Sequence, residues 1–272
     1  MEKIRLRKIW NGLQVLALIY VICGALLYFL QEKFLFHPQK LEITQPYQFD
    51  QPFRELNLPV SEEKNISIVQ FTVPDSLCKG VVLYFHGNRK NIGRYAGFAP
   101  AFTRNNYEVW MMDYPGFGKS TGELTEEIMY SDALILYKMA RARFASDSII
   151  IYGKSLGTGV ASQLATIRDC RRLILETPYY SIERLASNYA FIYPTALMAK
   201  YHFPNNEYFP LVRVPISIFH GKNDEVIPFS HANALSRLKS QDCELIGIEK
   251  GKHNNLAEFP LYNQRLDSLL RL

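Results

Sequence analysis

Gly153-Lys154-Ser155-Leu156-Gly157 reads G-x-S-x-G, and its flanks decide the fold. Before it runs the β-branched stretch Ser148-Ile149-Ile150-Ile151-Tyr152. After it, Thr158-Gly159-Val160-Ala161-Ser162-Gln163-Leu164-Ala165 has helical composition. A strand that turns sharply into a helix puts the serine in a strained bend with its hydroxyl exposed, and the flanking glycines let neighbouring backbone come close. An ordinary turn can carry the same five letters. The strand on one side and the helix on the other make Ser155 a nucleophile candidate.

Outward from this bend the chain alternates apolar runs with helical patterns. Strands are expected at Ile66–Val73, Gly80–Phe85, Glu108–Met112, Ile149–Tyr152, Arg172–Leu175, Ile216–Phe219 and Leu245–Ile248. Helices are expected at Ile92–Arg104, Thr125–Arg143, Ser230–Leu238 and Leu256–Leu270. Apolar strands alternating with helices imply an α/β protein with a mainly parallel sheet covered on both faces. Between Thr177 and Val214 the alternation breaks into an aromatic stretch that includes Tyr179, Tyr189, Phe191, Tyr193, Tyr201, Phe203 and Phe209. Residues 178–213 read as a cap-like insertion, with ordinary packing of the same aromatics on the sheet as the alternative.

A serine nucleophile needs a base and an orienting acid, which in a strand-turn-helix arrangement follow in the order Ser, acid, His. Asp224, just past the strand Ile216–Phe219, stands where parallel sheets place ligands. Glu225 and Glu176 are alternatives. His253 lies between the last strand and the last helix and fits the order. His86 and His220 precede the serine and the acid, and His37, His202 and His231 fall in the connector, the cap and a helix start. For the developing oxyanion, the amide of Leu156 at a helix N-terminus is one donor, and the loop after His86-Gly87 supplies a second at Asn88. Lys154 is expected in solvent.

Composition bounds the rest. The chain has 272 residues and a formal charge of +5, of which residues 1–10 hold +3 and the remainder +2. A nearly neutral domain without a basic aromatic motif gives no support for nucleic-acid binding. Four scattered cysteines show no C-x-x-C spacing, so neither a zinc site nor a disulfide framework is indicated, and buried free thiols are the plainer reading. No metal or organic cofactor is required by the serine chemistry.

From Leu13 to Leu30 no charge interrupts an apolar run long enough to span about 30 Å of hydrocarbon. A basic flank at residues 1–10 precedes a transmembrane anchor at 11–31, a proline-rich connector at 32–60 and the catalytic domain at 61–272. The positive-inside rule puts the N-terminus in the cytoplasm and the domain on the far side. A cleaved signal peptide would want a small-x-small site, and a lipoprotein site at Cys23 would want a small residue where Ile22 stands.

His86-Gly87-Asn88, the run Asp113-Tyr114-Pro115-Gly116-Phe117-Gly118-Lys119-Ser120, the elbow at Ser155, Gly221-Lys222-Asn223-Asp224 and Lys252-His253 together resemble an α/β-hydrolase. The chain is similar in particular to the small, N-terminally membrane-anchored group related to acyl-protein thioesterases of the abhydrolase-domain type and to serine aminopeptidase-like hydrolases. The resemblance implies an eight-stranded, mostly parallel sheet and a Ser155–Asp224–His253 triad. It implies structural roles for Asp113 and Tyr114. Arg89 departs from the small residue many relatives carry there. The expected activity is cleavage of an acyl ester, thioester or lipid through an acyl-enzyme. A serine peptidase, or a non-catalytic membrane-anchored binding protein, is the alternative.

Overall fold

The computed structural model describes residues 2–271. Its main sheet has eight strands: β1 (Phe53–Pro59), β2 (Asn65–Phe71), β3 (Gly80–Phe85), β4 (Tyr107–Met112), β5 (Ile149–Lys154), β6 (Arg172–Glu176), β7 (Ile216–Gly221) and β8 (Cys243–Ile248). Their spatial order is β8-β7-β6-β5-β3-β4-β2-β1. Only β2 runs against its neighbours; every other adjacent pair is parallel. The order reverses beside β5, and at such a switch point the carboxyl ends of the strands open a crevice for ligands.

Six longer helices accompany the sheet: α1 (Glu2–Leu35), α2 (Glu126–Arg141), α3 (Gly157–Ile167), α4 (Ile182–Tyr189), α5 (Phe229–Leu238) and α6 (Pro260–Arg271). The strands alternate as a sheet buried on both faces requires. Val81, Leu83 and Ile151 face the layer with Leu136, Leu164 and Leu235 of α2, α3 and α5. Val82, Tyr84, Ile150 and Tyr152 face the opposite layer with Phe102 and with Leu266 of α6. Each such side chain, fully buried, contributes about 1.5–3 kcal/mol, so the central strands that carry the bend are firmly held.

Three expectations are corrected. The stretch 32–60 is not all connector, because β1 occupies Phe53–Pro59 and pairs antiparallel with β2. Its prolines tolerate this because β1 is an edge strand with Pro59 at its end. The helix expected over Ile92–Arg104 is broken into short turns at Ile92–Tyr95, Ala96–Phe98 and Pro100–Thr103, since Gly97 and Pro100 interrupt it. The apolar N-terminal helix continues past residue 31 to Leu35. It is one helix long and apolar enough to cross a membrane, with 6% of its apolar window buried by the rest of the chain.

The aromatic insertion divides in two. Tyr201, Phe203, Phe209 and Val212 are buried against the main core, whereas Tyr189, Phe191, Ile192 and Leu197 stand exposed. A buried histidine fastens the outer part to the body. His231, on α5, accepts the Tyr180 amide at Nδ1 (3.0 Å), and its Nε2 lies 2.9 Å from the Asn188 carboxamide on α4. Burial, helped by the Arg184 charge, pushes the His231 imidazole down to about 4. In the unfolded chain it takes a proton near pH 6.5, so between about pH 4 and 6.5 the unfolded state binds more protons and stability rises with pH. His231→Gln is expected to flatten that rise, read as the thermal midpoint of the full chain in detergent from pH 4.5 to 7. An unchanged slope would mean the histidine does not titrate across that window.

Candidate active site

The bend between β5 and α3 is a backbone problem before it is a chemical one. Ser155 sits at φ +51°, a left-handed conformation that costs a non-glycine residue about 1–3 kcal/mol. It is held there by its amide, which donates to the Glu176 carbonyl on β6 (2.9 Å), and by its carbonyl, which accepts from the Thr158 amide (2.9 Å) and hydroxyl (2.6 Å). The chain turns inside neighbouring backbone. A Cβ at Gly157 would stand 2.1 Å from the Phe85 carbonyl oxygen of β3, and the obstructing atoms are main chain and cannot swing away.

Two further loops converge on this serine. Asp224 follows β7 and His253 follows β8, and the loops touch so closely that a Cβ at Gly221 would come within 2.3 Å of the Gly251 carbonyl oxygen. Asn223 donates its amide to the same carbonyl (2.9 Å). Asp224 Oδ1 accepts the amides of Val226 and Ile227, each at 2.8 Å, which aims Oδ2 at His253 Nδ1, also at 2.8 Å. His253 Nε2 lies 3.0 Å from Ser155 Oγ. With Asp224 as acceptor, Nδ1 carries the imidazole proton and Nε2 is free to accept from the serine hydroxyl. Burial alone would raise the Asp224 carboxyl. The hydrogen bond and charge of His253, the Ile227 amide and nearby His220 outweigh it, and its pKa falls below the usual carboxylate range. The aspartate is therefore the ionised partner of the pair at neutral pH.

His220 stands behind Asp224, 3.4 Å from Oδ2, and donates Nε2–H to the Ile227 carbonyl (2.8 Å). Burial lowers its pKa, which keeps it neutral beside the carboxylate. Glu225, the alternative acid, is exposed, and Glu176 is committed elsewhere.

On the other side of Ser155 lies the loop after β3. A Cβ at Gly87 would be 3.5 Å from Ser155 Cβ, so this backbone stands directly beside the serine. Among the described residues, no turn or loop hydrogen bond takes up the amides of Leu156 or Asn88. Asp113 supports the loop from beneath, accepting the Ile92 amide at Oδ1 (2.9 Å) and the Tyr47 hydroxyl at Oδ2 (2.9 Å), while Tyr114 donates its hydroxyl to the His86 carbonyl (2.8 Å). Arg89 and Lys90 form a two-residue parallel pairing with His37 and Pro38, and the Asn88 carboxamide donates to the Leu35 carbonyl (2.7 Å). Arg89 thus belongs to a seam between the loop and the chain that leaves α1. A pairing of two residues leaves no periodic trace, so nothing in the sequence announced it.

Residues 77–208 match a family model described as serine aminopeptidase, S33. That match includes the elbow and stops short of Asp224 and His253. An α/β-hydrolase domain-containing protein of Caenorhabditis elegans, aho-3, is 31% identical over 192 residues, 70% of this chain and 57% of that protein. The human α/β-hydrolase domain-containing protein 17B is 31% identical over 196 residues, 69% of this chain and 65% of that protein. An esterase of Pyrococcus furiosus, Pf2001, superposes with a TM-score of 0.64 at 16% identity, covering 86% of this chain and 98% of its own. The chain has the α/β-hydrolase fold and is similar to the α/β-hydrolase domain-containing proteins. The solved relative speaks for the hydrolase fold alone, and the chain spans 57% and 65% of the length of the two curated relatives.

One polar group of this fold departs from expectation. Lys154, read as solvated, is buried, and its ammonium pairs with the Glu176 carboxylate. The cause is register: Lys154 on β5 is the direct neighbour of Glu176 on β6. Tyr152 and Tyr262 also donate their hydroxyls to Glu176, the second at 3.1 Å, and the Lys154 ammonium lies 5.0 Å from the Phe98 ring centre. Burial and the Glu176 charge push both phenols well above their usual range, so they remain donors. Lys154→Met leaves a buried carboxylate uncompensated and is expected to cost about 3–5 kcal/mol of stability. Adding Glu176→Gln should recover much of that loss, because the amide is neutral and still accepts from the tyrosines. Denaturant unfolding of both variants measures this, and equal destabilisation of the two would refute the pairing.

Proposed function

We propose that this hydrolase is a serine hydrolase that cleaves acyl esters or thioesters through an acyl-enzyme. The observation that carries the reading is the continuous chain from Ser155 Oγ to His253 Nε2 (3.0 Å) and from His253 Nδ1 to Asp224 Oδ2 (2.8 Å). In the first half-reaction His253 Nε2 takes the hydroxyl proton as Ser155 Oγ attacks the carbonyl carbon. Asp224 stabilises the imidazolium without taking its proton. The Leu156 and Asn88 amides donate to the tetrahedral oxyanion, each such donor contributing about 2.7–4 kcal/mol to the transition state. His253 then gives its proton to the departing alcohol or thiol. In the second half-reaction water replaces the leaving group, and the same proton path releases the acid.

The apolar helix α1 is read as an uncleaved anchor. Lys3, Arg5, Arg7 and Lys8 precede it, against Glu32 and Lys33 after it, a bias that favours a cytoplasmic N-terminus and a catalytic domain on the opposite side. The catalytic domain in this reading includes β1 and the seam before it, and begins near Phe36. An anchor beside an exposed apolar cap favours an acyl or lipid substrate over a polar one. The family description as a serine aminopeptidase keeps one second reading, release of N-terminal amino acids by the same Ser155 chemistry.

Ser155→Ala is expected to abolish labelling by a fluorophosphonate probe and to reduce turnover about 10³-fold or more. Labelling that persists in this variant would sink the nucleophile assignment, and an unlabelled parent chain would favour a non-catalytic binding role. p-Nitrophenyl esters of graded chain length, set beside aminoacyl-p-nitroanilides, separate the two hydrolytic readings: faster turnover of the anilides would favour the peptidase. A C-terminal alkaline phosphatase fusion should be active in a bacterial host; an inactive fusion would reverse the orientation.

A further inference from the structure

From 185 to 199 the outer cap carries no charged residue. Within it Phe191 is 83% and Leu197 85% exposed, and Tyr189 and Ile192 are exposed too. A patch of this kind on a soluble surface marks an interaction site. It does not stand alone, because it is fastened along α1. The rings of Tyr20 and Tyr193 stack with centres 4.6 Å apart. The Tyr20 hydroxyl donates to the Ile192 carbonyl (3.0 Å), and the Tyr193 hydroxyl donates to the Tyr20 carbonyl (3.1 Å). Nearer the end of the helix, the Gln31 carboxamide donates to the Met198 carbonyl (3.0 Å) and accepts from the Lys200 amide (2.7 Å).

These contacts fix a depth. Tyr20 lies ten residues before Leu30, the end of the apolar run, which is about 15 Å along a helix axis, or half the hydrocarbon thickness. A segment held against Tyr20 therefore reaches as deep as Tyr20 does. Irregular backbone survives in hydrocarbon only when its polar groups are satisfied within the protein. Much of this backbone is satisfied in that way: the amides of Ala190, Tyr193, Thr195, Leu197 and Ala199 donate to Ala186, Ala190, Tyr193, Pro194 and Thr195, and the carbonyls of Ile192 and Met198 are capped by α1 side chains. Charge returns only at Lys200, whose ammonium lies 5.0 Å from the Tyr28 ring centre. A lysine and aromatic rings at that level are what a membrane–water boundary selects.

We infer that residues 189–199 are inserted in the hydrocarbon of the bilayer beside α1, with Phe191 and Leu197 facing lipid, so that cap and anchor form one embedded unit. The inference rests on the reading of α1 as an anchor. Lipid is the occupant the surface fits, because the patch continues the exposed apolar surface of α1 and offers no charge to set a register with a second protein. The embedded unit also grips the candidate site from both sides. The Tyr189 hydroxyl donates to the Val226 carbonyl (2.6 Å), two residues past Asp224, and the Leu35 carbonyl holds the Asn88 side chain (2.7 Å). The acyl chain suited to such a site is one presented from the bilayer rather than from water.

Depth-dependent quenching tests the insertion. Phe191→Trp and Leu197→Trp are introduced separately into the full chain and reconstituted in phosphatidylcholine vesicles brominated at mid-chain, with emission read as the increment over the parent's Trp10 and Trp110. Ile19→Trp reports the anchor itself. Leu238→Trp, at the end of α5 on the opposite edge of the sheet from Ser155, reports the aqueous side. Bromination is expected to lower the increments at 19, 191 and 197 at least about twofold and to leave 238 unchanged, since only the first three lie in the hydrocarbon. Quenching at 19 without quenching at 191 and 197 would overturn cap insertion and leave the anchor standing, whether water or a second copy covers the patch. No quenching at 19 would overturn the anchor, and insertion with it.

Discussion

The left-handed backbone at Ser155 is the constraint on which the rest of this structure depends. A strand in the middle of the sheet has to end, reverse and become a helix within two residues, and an ordinary residue at the turn has to accept a strained conformation. Three hydrogen bonds and the packing of β5 between β3 and β6 hold it there. Their combined worth, at about 1 kcal/mol each, is enough to offset a strain of about 1–3 kcal/mol. Glycine at 157 follows from the same geometry, because α3 begins against the backbone of β3. The serine hydroxyl is the outward end of an arrangement whose inward side is entirely core.

Much of this was legible in the chain itself, for physical reasons. The central strands are apolar without interruption because both faces are covered, and the order Ser, Asp, His follows from which strand ends lie side by side. Ser155, Asp224 and His253 accordingly come together at hydrogen-bonding distance. What escaped reading depends on register or on very short contacts. Lys154 gave no hint of burial, since its partner Glu176 becomes adjacent only when β5 and β6 align. β1 was hidden by Pro52 and Pro59 and by the mixed polarity of an edge strand. His220, behind Asp224, is an ordinary strand-end histidine until the fold puts it there.

The N-terminal helix is more than an appendage. Through Tyr20, Gln31 and Leu35 it touches the outer cap and the loop beside Ser155, while the cap reaches through Tyr189 to the loop that carries Asp224. The apolar helix and the shape of the candidate site are therefore parts of one structure. The insertion is partitioned accordingly, with Tyr201, Phe203 and Phe209 locked into the core and the segment before them laid along α1.

The seam that follows α1 sets a boundary for anyone cutting the chain. Phe36 is buried against Tyr201 and Phe117, His37 donates its amide to the Asn88 carbonyl (2.8 Å), and Gln39 and Leu41 exchange backbone hydrogen bonds with Lys90 and Gly118. A soluble fragment that begins at the first strand of the sheet, near Phe53, would discard all of these and leave the wall beside Ser155 without its outer partner. One that begins just before Phe36 would shed the apolar helix and keep the wall intact. The natural edge of the folded unit thus lies some seventeen residues ahead of its first strand.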